Sequence, residues 1–385
     1  MIPYGKQHIN NDDINEVIKV LKSDFITQGP VIPAFEKEIS AFTGSKYAVA
    51  MNSATSALHL SCLALGLTKN DYLWTSPISF VASANCGLYC GAQIDFVDID
   101  PHNYNINVNL LEEKLIEAQK QNKLPKIVIP VHMCGQSADS EIIFNLSKKY
   151  GFKIIEDASH AFGGKYKNEF IGSCSFSDIT VFSFHPVKII TTGEGGAITT
   201  NDEEISDRVK LLRCHGITKN KELFLNKKEG DWYYEQQYLG FNYRLTDLQA
   251  ALGLSQIKRT VDFVSKRREI ANRYDRLLTN LPIVTPKQEK YSLSSRHLYV
   301  IRIKNDKSKL SHFEAFKSLR EKNILVNLHY IPIHLQPYYR KLGFKHGDFP
   351  NAEKYYKEAI SLPIYFSFTK KDQDYVIDTL TKLLK

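Results

Sequence analysis

Short apolar runs at residues 47–51, 72–76, 94–97, 127–131, 153–155 and 179–182 recur along this chain, and most are separated by stretches with helical spacing. The run at 127–131 is continuous rather than alternating, which suits a strand buried on both faces. Helices are expected over 11–22, where Ile14, Val17, Ile18 and Leu21 share one side, and over 34–43, 57–67, 138–150 and 203–215. Asn109 and Glu112 resemble a capping box that opens a further helix to about residue 119. Alternation of this kind predicts an α/β fold with a mostly parallel central sheet covered on both faces.

At 385 residues the chain exceeds the roughly 250–300 at which single cores stop growing. Two domains are therefore expected: a large one over 1–255 that includes an N-terminal loop segment, and a small one over 256–385. A long helix from about 254 to 281 would lead into the second, where a strand at 298–303, a helix at 310–322 and the segment 324–332 suggest an α+β unit. Residues 219–237, polar and aromatic without a clear period, read as a long loop near the site.

No apolar run approaches the ~20 residues of a membrane span, and the first residues lack a signal-peptide pattern, so the expected location is cytoplasmic, with no membrane partner. The six cysteines form no disulfide-like framework. Cys86 and Cys90, four apart and without a second pair or a nearby histidine in sequence, make a poor zinc site, and no metal is expected. The net charge of +8 is spread among acids; Lys266-Arg267-Arg268 falls on a helical pattern and reads as a solvated face, not a nucleic-acid groove. A mild positive balance suits an anionic small substrate.

The most informative stretch is 181–200. A strand-like run breaks at Ser183-Phe-His-Pro-Val into a turn presenting Lys188, and three glycines in Thr-Gly-Glu-Gly-Gly196 precede a second strand over 196–200. Most of the 50 basic residues are ordinary surface groups, but a lone lysine between two strands suggests an amine meant to react. Upstream, Asp157 closes the run 153–155 at the edge where open α/β sheets place ligand groups. A carboxylate there needs a cationic partner, whether a salt bridge, a helix cap or a ligand. After the strand 47–51, Asn52-Ser-Ala-Thr-Ser56 forms a polar turn into a helix, where Thr55 and Ser56 could serve as caps or as phosphate donors.

Together, Ser183-Phe-His-Pro-Val-Lys188, Glu156-Asp-Ala-Ser-His-Ala161 and Gly240-Phe-Asn-Tyr-Arg-Leu-Thr-Asp247 resemble the corresponding segments of the sugar-nucleotide aminotransferases of DegT/DnrJ/EryC1/StrS type, with likeness over essentially the whole chain. The resemblance implies the aspartate aminotransferase-like fold of type I pyridoxal-phosphate enzymes, with pyridoxal 5'-phosphate as cofactor. It implies that Lys188 carries the cofactor and then acts as base, that Asp157 meets its ring nitrogen, and that His160, where many members have glutamine, faces its phenolic oxygen or ring. Ala54 would contact the cofactor, and Thr55, Ser56 and Ser183 would bind its phosphate together with Asn242 of a neighbouring subunit, so a homodimer with shared sites is implied. Phe80 takes the place of an aromatic stacked on the ring, core packing being the alternative. Tyr4, Asp24, Phe25, Ile26, Thr27, Asn327, Leu328, His329 and Tyr330 match substrate-contacting positions.

Within that family, residues 23–30, 52–59 and 327–334 are most similar to the branch that aminates C4 of UDP-2-acetamido-2,6-dideoxy-β-L-arabino-hexos-4-ulose, with glutamate as donor, in pseudaminic acid synthesis. The alternatives are another nucleotide keto sugar, of perosamine or bacillosamine type, and a non-catalytic regulatory protein that binds the cofactor. A dehydratase of the same fold usually has histidine at the lysine position, so Lys188 speaks against it.

Overall fold

Alternation within the apolar runs decides which side of the sheet each residue serves. Val181 and Phe182 are adjacent and both fully buried, yet they belong to different cores, because successive strand residues point to opposite faces. Val181 packs with Leu58, Leu60 and Ile155. Phe182 packs with Phe35 and Ile39, and its ring lies 5.0 Å from that of Phe162. Each such side chain contributes roughly 1.5–3 kcal/mol on burial. The structure, a computed structural model, describes residues 1–226 and 230–385.

The central sheet comprises β1 (Tyr47–Met51), β2 (Tyr72–Thr75), β3 (Gln93–Phe96), β4 (Ile127–Ile129), β5 (Lys153–Asp157), β6 (Ile179–Ser183) and β7 (Gly196–Thr200). Their order across the sheet is β1-β7-β6-β5-β4-β2-β3. Strand β7 runs antiparallel to both β1 and β6, and the other pairs are parallel. The sheet is thus mostly parallel, as the alternation predicts.

A second sheet, antiparallel, joins Ile283–Val284, Tyr299–Ile303 and Ala359–Leu362. Its core includes Leu319 and Leu380, from the helices His312–Glu321 and Lys370–Leu384. The chain start is tied to this region: Ile2 and Pro3 pair in parallel with Ile324 and Leu325, and Tyr4 accepts a bond from Ile364 N at 3.0 Å. That pairing carries Tyr4 toward the segment that follows residue 325.

Several boundaries differ from expectation for local reasons. The helix expected at 57–67 spans Ala54–Ala64, because Ser53 caps it by accepting from Ser56 N at 3.1 Å. Asn107, not Asn109, caps Val108–Lys120, accepting from Asn109 N and Leu110 N. The single helix expected from 254 to 281 is two, Asp247–Ile257 and Thr260–Leu277. Between them the Arg259 guanidinium turns back onto Asp13, and Thr260 Oγ1 donates to Ile257 O at 2.8 Å. Of the loop expected at 219–237, residues 227–229 lie outside the described residues; around them Ile217–Thr218 pairs with Glu235–Gln236. Cys62 sits beside Cys86 and Cys90, a proximity that spacing does not reveal. Among the described residues no three His, Cys, Asp or Glu side chains are grouped to hold a metal, and no helix is long and apolar enough to cross a membrane.

Candidate active site

The carboxyl edge of the central sheet supplies the floor of a cavity of about 530 Å³. Strands β5 and β6 end there in Asp157 and Ser183, and β7 begins there, Gly196 standing opposite both Ser183 and Met51. A side chain at Gly196 is impossible without movement: its Cβ would lie 2.4 Å from Ala54 N and 2.5 Å from Ser53 C. The glycine lets the Ser53–Ala54 backbone rest directly on β7 at the cavity wall.

Of the residues singled out from the sequence, Tyr4, Ala54, Thr55, Phe80, Asp157, His160, Ser183, Lys188, Asn327, Leu328, His329 and Tyr330 line this one cavity. Ser56 does not; its hydroxyl donates to Asn52 Oδ1 at 2.6 Å beneath the turn. The loop holding Asp24, Phe25, Ile26 and Thr27 also stands apart, anchored where Asp247 N donates to Ile26 O and the Asp247 carboxylate accepts from Gly29 N and Val31 N. Phe25 and Ile26 are more than half exposed. Asn242 is exposed at the protein surface, bridged to Cys214.

Lys188 is placed by a tight turn in which its N–H donates to His185 O at 2.9 Å. Loss of hydration lowers its ammonium to about 8, against the attraction of Asp157. Among the described residues, none hydrogen-bonds or ion-pairs with its Nζ. Asp157 is 5% exposed. Its Oδ1 accepts from Ser159 N at 3.1 Å and Ser159 Oγ at 2.6 Å, and its Oδ2 from Ser83 Oγ at 2.6 Å. All three donors are neutral, and among the described residues no arginine or lysine closes on the carboxylate as an ion pair.

Four imidazoles, those of His160, His185, His297 and His329, line the cavity around this pair. The His160 and His297 rings lie with centroids 4.5 Å apart and planes tilted by 42°, and His160 Nε2 lies 2.9 Å from the Tyr330 hydroxyl. His329 meets Ser361 Oγ through Nδ1 at 2.8 Å, with the Tyr4 ring 5.0 Å away. Burial first, then the neighbouring Lys188, hold His329 down to about 3; burial and the same lysine keep His160 well below its ordinary value. These rings are neutral at physiological pH and can donate or accept hydrogen bonds without adding charge.

Such a cavity fits an aromatic ring with a basic nitrogen, a carbonyl and a phosphate. A buried carboxylate without a protein cation can take the protonated nitrogen, an amine poised near neutrality can attack the carbonyl, and the Ser53–Thr55 helix start and Ser183 can receive the anion. Sequence reading missed Ser83 and His297, which reach the site from separate elements, and Ser159, whose position two residues after Asp157 is the one local signal available.

Residues 7–381 match the model of the DegT/DnrJ/EryC1/StrS aminotransferase family. The chain is 39% identical over its whole length, and over 97% of the other, to the spore coat polysaccharide biosynthesis protein SpsC of Bacillus subtilis. It is also 39% identical over its whole length, and over 98% of the other, to the UDP-4-amino-4,6-dideoxy-N-acetyl-beta-L-altrosamine transaminase of Campylobacter jejuni. The structure superposes with a TM-score of 0.90, at 30% identity over 100% of this chain and 99% of the other, on the putative sugar aminotransferase Spr1654 of Streptococcus pneumoniae in its PMP form. The chain belongs to the DegT/DnrJ/EryC1/StrS aminotransferase family and is a pyridoxal-phosphate-dependent sugar aminotransferase.

Proposed function

We propose that the chain transfers the amino group of glutamate to C4 of UDP-2-acetamido-2,6-dideoxy-β-L-arabino-hexos-4-ulose, as in pseudaminic acid synthesis. The observation that carries the chemistry is the meeting, on neighbouring strands β5 and β6 and the turn after them, of a buried amine that makes no hydrogen bond among the described residues and a carboxylate whose hydrogen-bond donors there are all neutral. When bound, pyridoxal phosphate supplies a carbonyl that exchanges nitrogen and a ring that accepts electrons. Lys188 Nζ would hold the cofactor through its carbonyl and, when free, would be the base that carries the proton of the transfer. Asp157 keeps the ring nitrogen protonated, and His160 donates to the ring's oxygen. Phe80, 59% exposed at the cavity rim, would cover one face of the ring.

The Ser53–Thr55 turn and Ser183 would hold the phosphate, completed by Asn242 from a second copy of the chain, which would make the active form a homodimer. Tyr4 and the Asn327–Tyr330 segment meet the sugar from above. The loop 24–27, which does not line the cavity of its own chain, would reach the sugar of the second copy. For the sugar itself, support comes from the likeness of residues 23–30, 52–59 and 327–334 and from the Campylobacter jejuni transaminase. The equal identity to SpsC keeps a second nucleotide keto sugar as the competing reading.

The test is a two-stage turnover. Protein loaded with pyridoxal phosphate is treated with glutamate, freed of donor, and offered a panel of nucleotide keto sugars, with products identified by mass and NMR. Reaction with the L-arabino 4-keto UDP sugar alone, giving the 4-amino altrosamine, supports the proposal. Preference for another keto sugar overturns the substrate, and failure to release 2-oxoglutarate overturns the donor.

A further inference from the structure

The hydrogen-bond directions around Asp157 can be worked out from valence. Ser83 has one hydroxyl proton, and its Oγ lies 2.6 Å from Asp157 Oδ2 and 2.6 Å from Ser79 Oγ. A carboxylate only accepts, so the Ser83 proton points to Asp157 and Ser83 must accept from Ser79. The result is a one-way chain, Ser79 to Ser83 to Asp157, buried throughout: Ser83 is fully buried and Ser79 is 3% exposed. An ionised carboxylate offers about four acceptor positions. Two on Oδ1 are taken by Ser159 N and Oγ, and one on Oδ2 by Ser83. A single position remains, on Oδ2, the oxygen that Ser83 holds.

We propose that Ser83 is a positioning residue that dictates which oxygen of Asp157 meets the cofactor ring nitrogen and keeps the proton of that contact on the ring, with Ser79 orienting Ser83 from behind. The inference rests on the reading of Asp157 as the partner of that nitrogen. The physics is specific. A short bond from a buried hydroxyl holds negative charge on Oδ2 and fixes the plane of the carboxylate. Without it, Oδ2 loses a donor and the carboxylate is free to rotate, so the shared proton shifts from nitrogen toward oxygen. Ser83 stands in the first turn of the helix Ala82–Tyr89, so its place is fixed by backbone rather than by a mobile loop.

The experiment uses full-length protein loaded with pyridoxal phosphate labelled with nitrogen-15 in the ring, whose chemical shift reports protonation independently of turnover. In the native protein the resonance is expected at the protonated position. Ser83→Ala is expected to move it toward the position found in Asp157→Asn and to weaken cofactor binding roughly tenfold, the size of one charge-assisted bond. Ser83→Cys fills the same space with a poor donor and should move the resonance in the same direction, which keeps the test valid if Ser83→Ala folds badly. Ser79→Ala leaves the Ser83 proton on Asp157 and should move it less than either. If both Ser83 variants keep the native resonance while Asp157→Asn shifts it, the role given to Ser83 is wrong. If Asp157→Asn itself leaves the resonance in place, the reading of Asp157 falls.

Discussion

The Tyr330 hydroxyl lies 2.9 Å from Nε2 of His160 and couples the position of the imidazole proton to the phenol. Burial, and then the charge of Asp157, raise the phenol far above its ordinary value, so Tyr330 stays a neutral phenol with its proton available to Nε2. The prediction is that the phenol donates, which makes Nε2 the acceptor and leaves the hydrogen on Nδ1. That Nδ1 is buried and has no protein partner among the described residues, so it is kept for a ligand. Tyr330→Phe should remove the constraint, cost about 1–2 kcal/mol in unfolding free energy, and convert the His160 ring to a mixture of tautomers. Nitrogen-15 NMR of labelled histidine checks it; an unchanged single Nδ1–H tautomer would show that something other than Tyr330 sets the ring.

Asp157 ends a buried apolar run and Lys188 follows one by a short turn, and that local pattern, together with the family resemblance, pointed to the carboxyl edge of the sheet, where both line the cavity. The same pattern yields the strands and most of the helices. What it missed was set by distance or by one-residue chemistry. His297 reaches the cavity from just before the strand Tyr299–Ile303 of the second sheet, and nothing adjacent in sequence announces it. Ser83 is one of many serines until Asp157 folds against it. The break between Asp247–Ile257 and Thr260–Leu277 depends on Arg259 finding Asp13 from the far end of the chain, which no helical period encodes. Asn107 and Asn109 are equally good caps in composition, and only the backbone chooses between them.

Gly196 supports a sharper prediction than the other glycines of its cluster, because a methyl group there would strike backbone, not a movable side chain. Gly196→Ala should lift the Ser53–Ala54 turn off β7, destabilise the protein by about 1–3 kcal/mol and weaken pyridoxal phosphate binding at least several-fold. Urea unfolding and a cofactor titration measure the two effects. Native affinity in a folded Gly196→Ala protein would mean that this turn does not hold the anion.

Asp13 tests the other end of the fold. It is fully buried, accepts from Asn10 N at 3.0 Å and Gln256 Nε2 at 2.8 Å, and pairs with Arg259. Burial alone would raise its carboxyl, but bonds from Ser255 and Asn10 and the Arg259 guanidinium outweigh it and leave it below the ordinary value. A depressed carboxyl stabilises the folded state fully above the unfolded-state value and loses that contribution as pH falls through the folded one. Asp13→Ala should therefore cost on the order of 3 kcal/mol at neutral pH, and the gap to the native protein should shrink below about pH 4. Parallel urea titrations at the two pH values decide it; a gap that grows on acidification would contradict the assigned sign.

Lys188 gives the prediction closest to the chemistry. With its ammonium lowered to about 8 chiefly by lost hydration, roughly a tenth of the amine is neutral at pH 7, against well under a thousandth for an exposed lysine. In protein stripped of cofactor, trace acetylation followed by peptide mass spectrometry should show Lys188 reaching half its limiting reactivity near pH 8, while surface lysines continue to rise toward about pH 10.4. Asp157 acts on Lys188 in the opposite sense to burial, since its charge favours the ammonium. Asp157→Asn should accordingly move the half-point to lower pH and make the amine more reactive at neutrality, even as it removes the partner for the ring nitrogen. A half-point that stays in place in that variant would mean the carboxylate is not felt at Nζ, and that the amine is poised by other groups.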